Sequence, residues 1–474
     1  MSVAVVVGLF AATSGDPLTA DRVVALADAA RRSWQVPGVA VAVVRGADTV
    51  GVAGFGVRAA GRPEPVTADT LFPLASCTKG FTAAVLATLV DDGKLGWDDP
   101  VRTHLPDFRL ADPASDGLVT LRDLLSHRTG VGGHDLLWYR APWTLDETLR
   151  RAARLAPEGP FRGSYFYNST NVIAAGRAAA AVGGKPWDRL VRERLTGPLG
   201  MADVAFTTAE AERFADRALP HDRAGRVTDT HPFAEPNPAG SLHATARGLT
   251  AWLKFHLADG QANGRQLVSA KQLRETRRPH TPMPLDDPGI GPTYPDAVQA
   301  SYGLGWVLFD RRGSPVLAHG GQIDGFRAVL LLLPWQRVGV AVLANLDKSL
   351  MPVALAYTLA DVALGGADRD WDAHFQKVEA ERDAVPPLPA GATPTLPLDR
   401  YAGTYSDPAF GEATVAVEGA GLVFSWAAFR TRLESAGGHT FRMTDGHLAG
   451  RPVAFVGRDG RVTGVRALER VFTR

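Results

Sequence analysis

The sequence of 474 residues contains a single cysteine, Cys77. One cysteine excludes a disulfide within the chain and any metal site built from several thiolates. The formal net charge is only +1, so no overall field attracts nucleic acid or an anionic membrane. The sequence also lacks a His-Glu-x-x-His motif, a phosphate loop and a dinucleotide fingerprint. We therefore expect no metal, no cofactor, no nucleic acid and no membrane as partners.

Long apolar runs are missing as well, because no segment has 18 uninterrupted apolar residues of the kind that spans a bilayer. Residues 3–12 are apolar and are followed by small residues, as in a cleaved export signal. However, no basic residue precedes this run, and the first one is Arg22. We interpret residues 1–20 as an N-terminal tail or strand. A cytoplasmic location is favoured, and export by a weak signal is the alternative.

The remaining pattern predicts an α+β body at residues 21–384. Segments rich in β-branched residues occur at 39–57 and 302–345, and the second of these begins with a predicted strand over 302–309. Residues 119–255 between them have mostly helical spacing. Antiparallel strands contributed by both ends of a region, with helices in the middle, indicate one sheet flanked by helices and a helical subdomain.

A proline-rich stretch at residues 385–397 reads as a linker. Beyond it, residues 398–474 alternate apolar and polar positions between frequent glycine turns, which is typical of a small all-β barrel or sandwich.

The clearest chemical signal is Ser76, which lies three positions before Lys79. A serine hydroxyl needs a neighbouring base to act as a nucleophile at neutral pH. Residues three apart on a helix share a face, so the lysine amine lies within reach of the hydroxyl. Among the lysines, only Lys79 has a serine at this spacing. The competing interpretation is a helix-capping serine followed by a surface lysine.

Two further segments supply partners for such a pair. Tyr167-Asn168-Ser169 places a phenol, which relays protons as phenol or phenolate, before a predicted helix. His319-Gly320-Gly321 stands at the end of a predicted strand, where glycines permit close approach of a substrate. His319 is expected to donate to the substrate or to the Ser–Lys–Tyr group. The amides of Ser76 and Gln322 are expected to form an oxyanion hole.

Taken in order, these segments resemble the serine β-lactamase and penicillin-binding-protein superfamily, in its class C-like branch. The resemblance covers roughly residues 20–365 and is carried by five stretches, 72–83, 121–130, 134–139, 302–306 and 319–326. It implies a β-lactamase/transpeptidase-like fold in which Ser76 is the nucleophile, Lys79 and Tyr167 are the base system and His319 is the third-motif residue. Gly320, Gly321 and Ser169 are then expected to border the substrate.

One position departs from this resemblance. The family's second motif is usually Tyr-x-Asn, whereas the third residue here is Ser169. A serine hydroxyl is shorter than an asparagine amide and makes fewer hydrogen bonds. The departure argues against ordinary β-lactam turnover and leaves the role of Ser169 open.

The C-terminal residues 398–474 resemble the lipocalin-like β-domain that is appended to some members of the superfamily. In those members the domain caps the active site or mediates oligomers. Arginines of this region, Arg430, Arg432, Arg461 and Arg466, are candidates to reach a substrate carboxylate, although a solvated surface is the simpler interpretation of each.

The predicted function is serine acyl transfer, with an ester, a thioester or a D-amino-acid peptide as acyl donor. The first alternative is a penicillin-binding-protein-type thioesterase, which takes a carrier-bound peptidyl thioester and releases a macrocyclic nonribosomal peptide. The second, from another class, is a catalytically silent binding or scaffold protein on the same fold. Cys77 lies one residue off the face shared by Ser76 and Lys79, so a buried packing residue fits this position better than a catalytic thiol.

Overall fold

A computed structural model describes residues 18–366, 369–458 and 460–474. The predicted N-terminal tail or strand lies outside the described residues up to residue 17. None of the helices in these ranges has the length and hydropathy of a membrane-spanning segment.

The first part of the chain is built on a sheet of eight antiparallel strands in the order β2-β1-β13-β12-β11-β10-β9-β8. The N-terminal strands join the C-terminal ones through β1 and β13, where Val41 lies opposite Val342. Two small sheets, β3-β5-β4 and β6-β7, lie outside it. The strands are β1 (Gly38–Arg45), β2 (Asp48–Gly56), β3 (Phe72–Pro73), β4 (Val204–Ala205), β5 (His243–Ala244), β6 (Gln261–Ala262), β7 (Arg265–Gln266), β8 (Thr281–Pro282), β9 (Ala300–Tyr302), β10 (Val307–Arg311), β11 (Ser314–Ile323), β12 (Phe326–Leu333) and β13 (Val338–Ala344).

Helices cover both faces of this sheet, which explains why β1 is apolar along nearly its whole length. Ala40 and Ala42 face the core that contains α10, whereas Val39 and Val41 face the core of α1 and α12. The helices are α1 (Ala20–Ser33), α2 (Thr78–Asp91), α3 (Val101–His104), α4 (Pro113–Asp116), α5 (Leu121–Leu125), α6 (Leu145–Ala152), α7 (Ser169–Gly183), α8 (Trp187–Val191), α9 (Thr208–Ala211), α10 (Ala246–Leu257), α11 (Ala270–Thr276), α12 (Met351–Ala363) and α13 (Trp371–Asp383).

The C-terminal part is a closed barrel of eight antiparallel strands, β14 to β21. Its interior is filled by aromatic side chains such as Tyr405, Phe424 and Phe455, all of them buried. The strands are β14 (Gly403–Asp407), β15 (Gly411–Glu418), β16 (Gly421–Trp426), β17 (Phe429–Gly437), β18 (Thr440–Met443), β19 (Pro452–Arg458), β20 (Arg461–Ala467) and β21 (Arg470–Thr473). The predicted α+β fold followed by an all-β barrel is thereby confirmed.

The barrel packs against the helical subdomain through aromatic contacts. The rings of Tyr139 and Phe429 stack with centroids 6.1 Å apart, and Trp143 meets Trp426 edge-on at 6.0 Å. Leu137 is fully buried in the same apolar cluster as the barrel interior. The barrel therefore supports the segment around residues 131–143 that borders the candidate site.

Two local predictions were wrong. The predicted strand over 302–309 is divided into β9 and β10, because the chain turns at Gly305, whose φ is +81°. The His319-Gly320-Gly321 motif does not end a strand but lies inside β11, which continues to Ile323.

Candidate active site

Ser76 lies in a single 3₁₀ turn, Ala75–Cys77, that leads directly into α2. The preceding residue, Ala75, is buried and has a φ of +45°, a conformation that costs a residue with a Cβ about 1–3 kcal/mol. Strand β11 approaches this turn so closely that a Cβ on Gly321 would lie 2.0 Å from the Leu74 carbonyl oxygen. Gly321 is therefore required by the contact with the turn, whereas the space beside Gly320 is open.

Lys79 is fully buried one turn further along α2. Its Nζ lies 2.9 Å from Ser76 Oγ and 2.9 Å from the carbonyl oxygen of Ala239. Withdrawal from water lowers the pKa of Lys79 to about 7, and the carboxylate of Asp135 opposes this shift. An amine with this pKa is substantially neutral at physiological pH and has a lone pair available for the Ser76 proton.

Tyr167 lies on the other side of the same hydroxyl. Its phenol forms a hydrogen bond with Ser76, and its ring centroid is 4.8 Å from Lys79 Nζ. Burial raises the pKa of Tyr167 well above its usual value of 10. Tyr167 is therefore a phenol at neutral pH, so the geometry favours Lys79 as the base and Tyr167 as a proton relay.

His319 is buried beside this group, with its ring 6.2 Å from that of Tyr167. Nδ1 lies 2.7 Å from the Gly320 carbonyl oxygen and must carry the proton, and Nε2 accepts from the Tyr302 hydroxyl at 2.8 Å. Burial lowers the pKa of His319 to about 3. Both ring nitrogens therefore have partners within the protein, and the ring links Tyr302 to β11. The expected donation from His319 to a substrate stays a prediction.

The edge of β11 next to Ser76 is open. Strand β10 pairs with β11 only as far as Ala318, so residues 319–323 pair with β12 alone. In such a strand half of the backbone groups point to the free edge. Gln322 lies in this stretch and lines the same cavity as Ser76, which is compatible with the expected oxyanion hole.

Ser169 is the first residue of α7, and the Asn168 side chain caps this helix. The Ser169 hydroxyl hydrogen-bonds to the carboxylate of Asp135, whose Oδ1 also accepts from Trp138 Nε1 at 2.8 Å. Ser169, which stands where the family pattern has an asparagine, thus forms a hydrogen bond with an acidic side chain.

The other sequence candidates do not line the cavity that contains Ser76. Cys77 is buried, its Sγ lies 3.2 Å from the His319 carbonyl oxygen, and burial raises its pKa to about 12, which keeps the thiol protonated. The barrel residues Arg430, Arg432, Arg461 and Arg466 are exposed, and none of them lines the cavity at Ser76. Their contact with a substrate carboxylate stays a prediction.

Sequence reasoning missed three residues that surround Tyr167, namely His127, Tyr302 and Asp135. His127 packs against the rings of Tyr167 and Tyr302, at centroid distances of 4.5 and 4.4 Å. Its Nδ1 accepts a hydrogen bond from the backbone N–H of Asn168 at 3.2 Å. All three lie within the stretches that carry the family resemblance, but only spatial proximity shows what they contact.

A cavity of about 480 Å³ opens at Ser76. One end carries the polar groups Ser76, Asp135 and Tyr167. The cavity then passes along the edge of β11 to an apolar end between the sheet and α12, which is lined by Ile290, Tyr294, Phe309, Leu331 and Tyr357, among others. Within the described residues, no cluster of histidine, cysteine or acidic side chains is arranged to hold a metal ion.

Comparisons with known proteins agree with this geometry. Residues 24–365 match the family described as Beta-lactamase, and residues 388–472 match a domain of unknown function, DUF3471. An unguisins hydrolase of Aspergillus campestris is 31% identical over 435 residues, which cover 85% of this chain and 78% of the relative.

Two solved structures extend the comparison. The octameric penicillin-binding protein homologue from Pyrococcus abyssi has a TM-score of 0.65 and 20% identity over 96% of this chain and 99% of its own, which shows the fold alone. The D-amino acid amidase from Ochrobactrum anthropi SV3 has a TM-score of 0.59 and 26% identity over 73% of this chain and 96% of its own.

Proposed function

Because this chain belongs to the beta-lactamase family of serine hydrolases, we propose that it transfers acyl groups through an acyl-enzyme formed on Ser76. The observation that carries the proposal is the contact between Ser76 Oγ and Lys79 Nζ, 2.9 Å apart, with the pKa of Lys79 lowered to about 7. A buried amine poised near neutrality next to a serine hydroxyl is the arrangement that general-base activation of a nucleophile requires.

The proposed reaction has two steps. Neutral Lys79 takes the Ser76 proton as Oγ attacks the carbonyl carbon, and the oxyanion rests between the amides of Ser76 and Gln322. The tetrahedral intermediate collapses, and the leaving group departs with a proton returned from Lys79 through Tyr167. Water, activated by the same groups, then attacks the ester on Ser76 and releases the acid.

The cavity supports a donor with a bulky apolar part. Its volume of about 480 Å³ falls in the range of small-molecule sites, and its far end is aromatic and aliphatic. We propose an ester, a thioester or a D-amino-acid peptide as the acyl donor. The names of the hydrolase and the amidase reported above favour water as the acceptor.

A macrocyclising thioesterase acting on a carrier-bound peptidyl thioester is the alternative to hydrolysis. Incubation with a peptidyl thioester that ends in a D-residue separates the two, since a linear acid supports the hydrolase and a cyclic product supports the cyclase. Ser76→Ala is the matched control and is expected to lose either activity. Turnover that persists in this variant would end the proposal. The complete absence of acylation in the wild type would favour the silent scaffold.

A further inference from the structure

The segment that carries Tyr167 belongs to neither a helix nor a strand. Residues 165–168 lie between the turn at 161–163 and the first residue of α7, Ser169. The hydrogen bond between the Tyr167 hydroxyl and Ser76 therefore depends on how this short segment is held. Because the phenol lies at the end of a long rigid side chain, a small shift of the backbone is enough to move the hydroxyl away from Ser76.

His127 holds this segment on both sides of Tyr167. The backbone N–H of Phe166 donates to the His127 carbonyl oxygen at 3.0 Å, and the backbone N–H of Asn168 donates to His127 Nδ1 at 3.2 Å. The imidazole also packs against the Tyr167 ring, with centroids 4.5 Å apart and planes inclined at 48°. One residue thus accepts the two hydrogen bonds that flank Tyr167 and contacts its ring.

The backbone of His127 is itself fixed by the end of α5. Its N–H donates to the Leu124 carbonyl oxygen at 3.4 Å, and the residue is fully buried. Its φ of +58° lies in the left-handed region, where histidine is found more often than most residues with a Cβ. The imidazole therefore projects from a rigid point of the helical subdomain toward the less regular segment that carries Tyr167.

The hydrogen bond to Nδ1 also settles which ring nitrogen carries the proton. Burial lowers the pKa of His127 well below 6.5, so the ring is neutral, and because Nδ1 accepts, Nε2 carries the proton. Nε2 is buried and has no hydrogen-bond partner among the described residues. Since an unpaired buried N–H costs free energy, stability alone does not explain a histidine here. What this ring offers beyond an apolar ring is the acceptor at Nδ1.

We propose that His127 is a positioning residue, which holds the Tyr167 hydroxyl against Ser76 by accepting the Asn168 N–H at Nδ1. His127 does not line the cavity at Ser76, so it acts through Tyr167 and not on the substrate. The inference rests on the proposed Ser76 chemistry, in which Tyr167 passes a proton to the leaving group. Loss of the positioning should therefore slow the departure of leaving groups that need this proton.

The test compares two esters that form the same butyryl-enzyme, p-nitrophenyl butyrate and ethyl butyrate. p-Nitrophenolate leaves as a stable anion, whereas ethanol leaves only when its oxygen receives a proton as the C–O bond breaks. The ratio of the kcat/KM value for the first ester to that for the second therefore reports proton delivery, and a loss of active protein cancels from it. Tyr167→Phe is the benchmark and should raise the ratio by about 10²-fold.

Three variants of His127 separate the acceptor from the ring. His127→Phe keeps an aromatic ring without the acceptor and should raise the ratio about tenfold. His127→Ala removes the same acceptor without adding volume and should raise the ratio too, which keeps the inference testable if the larger ring does not fit. His127→Asn brings a side-chain oxygen near the position of Nδ1 and tolerates the left-handed backbone, so its ratio should stay within about twofold of the wild type.

His256 supplies the matched control, because it is another buried histidine and neither ring nitrogen has a hydrogen-bond partner among the described residues. His256→Phe should leave the ratio unchanged. An unaltered ratio in the folded variants that lack the acceptor, a ratio in His127→Asn as high as in His127→Phe, or an equal rise in His256→Phe would overturn the inference. An unaltered ratio in Tyr167→Phe would instead end the proposed relay through Tyr167.

Discussion

Two buried cations on opposite faces of the main sheet differ in what surrounds them. Arg311 contacts Asp361 through two hydrogen bonds of 2.6 and 2.5 Å, and Trp371 Nε1 donates to the same carboxylate at 2.7 Å. Among the described residues, Lys79 has only a hydroxyl and a carbonyl oxygen as hydrogen-bond partners. Arg311 is thus paired with a carboxylate, whereas Lys79 has no salt-bridge partner within the described part of the chain.

The two cations therefore have different roles: Arg311 contributes to stability, whereas Lys79 contributes to function. A paired buried charge stabilises the fold as long as both partners remain. An unpaired buried amine destabilises its own charged form, and the result is a base at neutral pH. Replacing each cation by methionine, which has a similar length and no charge, should therefore have opposite consequences for activity and for stability.

The largest effect is expected for Lys79→Met. Loss of the general base should lower kcat/KM for p-nitrophenyl butyrate by roughly 10²–10⁴-fold. The thermal midpoint of unfolding should stay the same or rise, because an unpaired buried amine is replaced by an apolar side chain. A midpoint well below that of the wild type would show that Lys79 stabilises the fold, and it would contradict the difference between Lys79 and Arg311.

Arg311→Met should lower the stability of the fold and leave the activity nearly unchanged. Removing one partner of a buried ion pair costs about 3–5 kcal/mol, because Asp361 is left buried and unpaired. Urea unfolding followed by tryptophan fluorescence measures this loss. The kcat of the folded fraction should remain near that of the wild type, and a large loss of kcat at full folding would contradict the comparison.

The pH dependence of kcat/KM tests whether Lys79 is the general base. Because the neutral amine is the active form and its pKa is about 7, kcat/KM should fall about tenfold per pH unit below 7 and level off above it. His319 and Tyr167 should not contribute between pH 5 and 9, since their pKa values are shifted to about 3 and well above 10. A flat profile across pH 7 would be inconsistent with this assignment.

The same shift has a consequence for stability. The pKa of Lys79 is lower in the folded protein than its ordinary value of 10.5, so the unfolded chain binds more protons between pH 7 and 10. Stability attributable to this residue should rise with pH over that window by about 1.4 kcal/mol per unit at most. The difference between wild type and Lys79→Met in urea titrations isolates this slope.

The smallest effect is expected for Ser169→Ala. The Asp135 carboxylate loses one hydrogen bond but keeps that from Trp138, so activity should fall by only about threefold to tenfold. Ser169→Asn, which returns the usual family residue, is the companion variant. A loss as large as that of Lys79→Met would mean that Ser169 takes part in the chemistry directly.

The sequence predicted those features that depend on local spacing. The distance of three residues between Ser76 and Lys79 places them on one helical face, and alternating residues predict strands in the barrel. It could not predict the features that long-range packing creates. Among them are the left-handed turn at Ala75, the occupation of both His319 nitrogens by Tyr302 and Gly320, and the approach of Asp135 to Ser169 from 34 positions earlier in the chain.

The proposed chemistry depends on an acyl-enzyme that forms on Ser76. Labelling of the full chain with a fluorophosphonate probe, followed by intact mass and peptide mapping, tests it directly. We expect one adduct per chain, located on Ser76, in the wild type and none in Ser76→Ala. An adduct on another residue, or equal labelling of the Ser76→Ala variant, would contradict it.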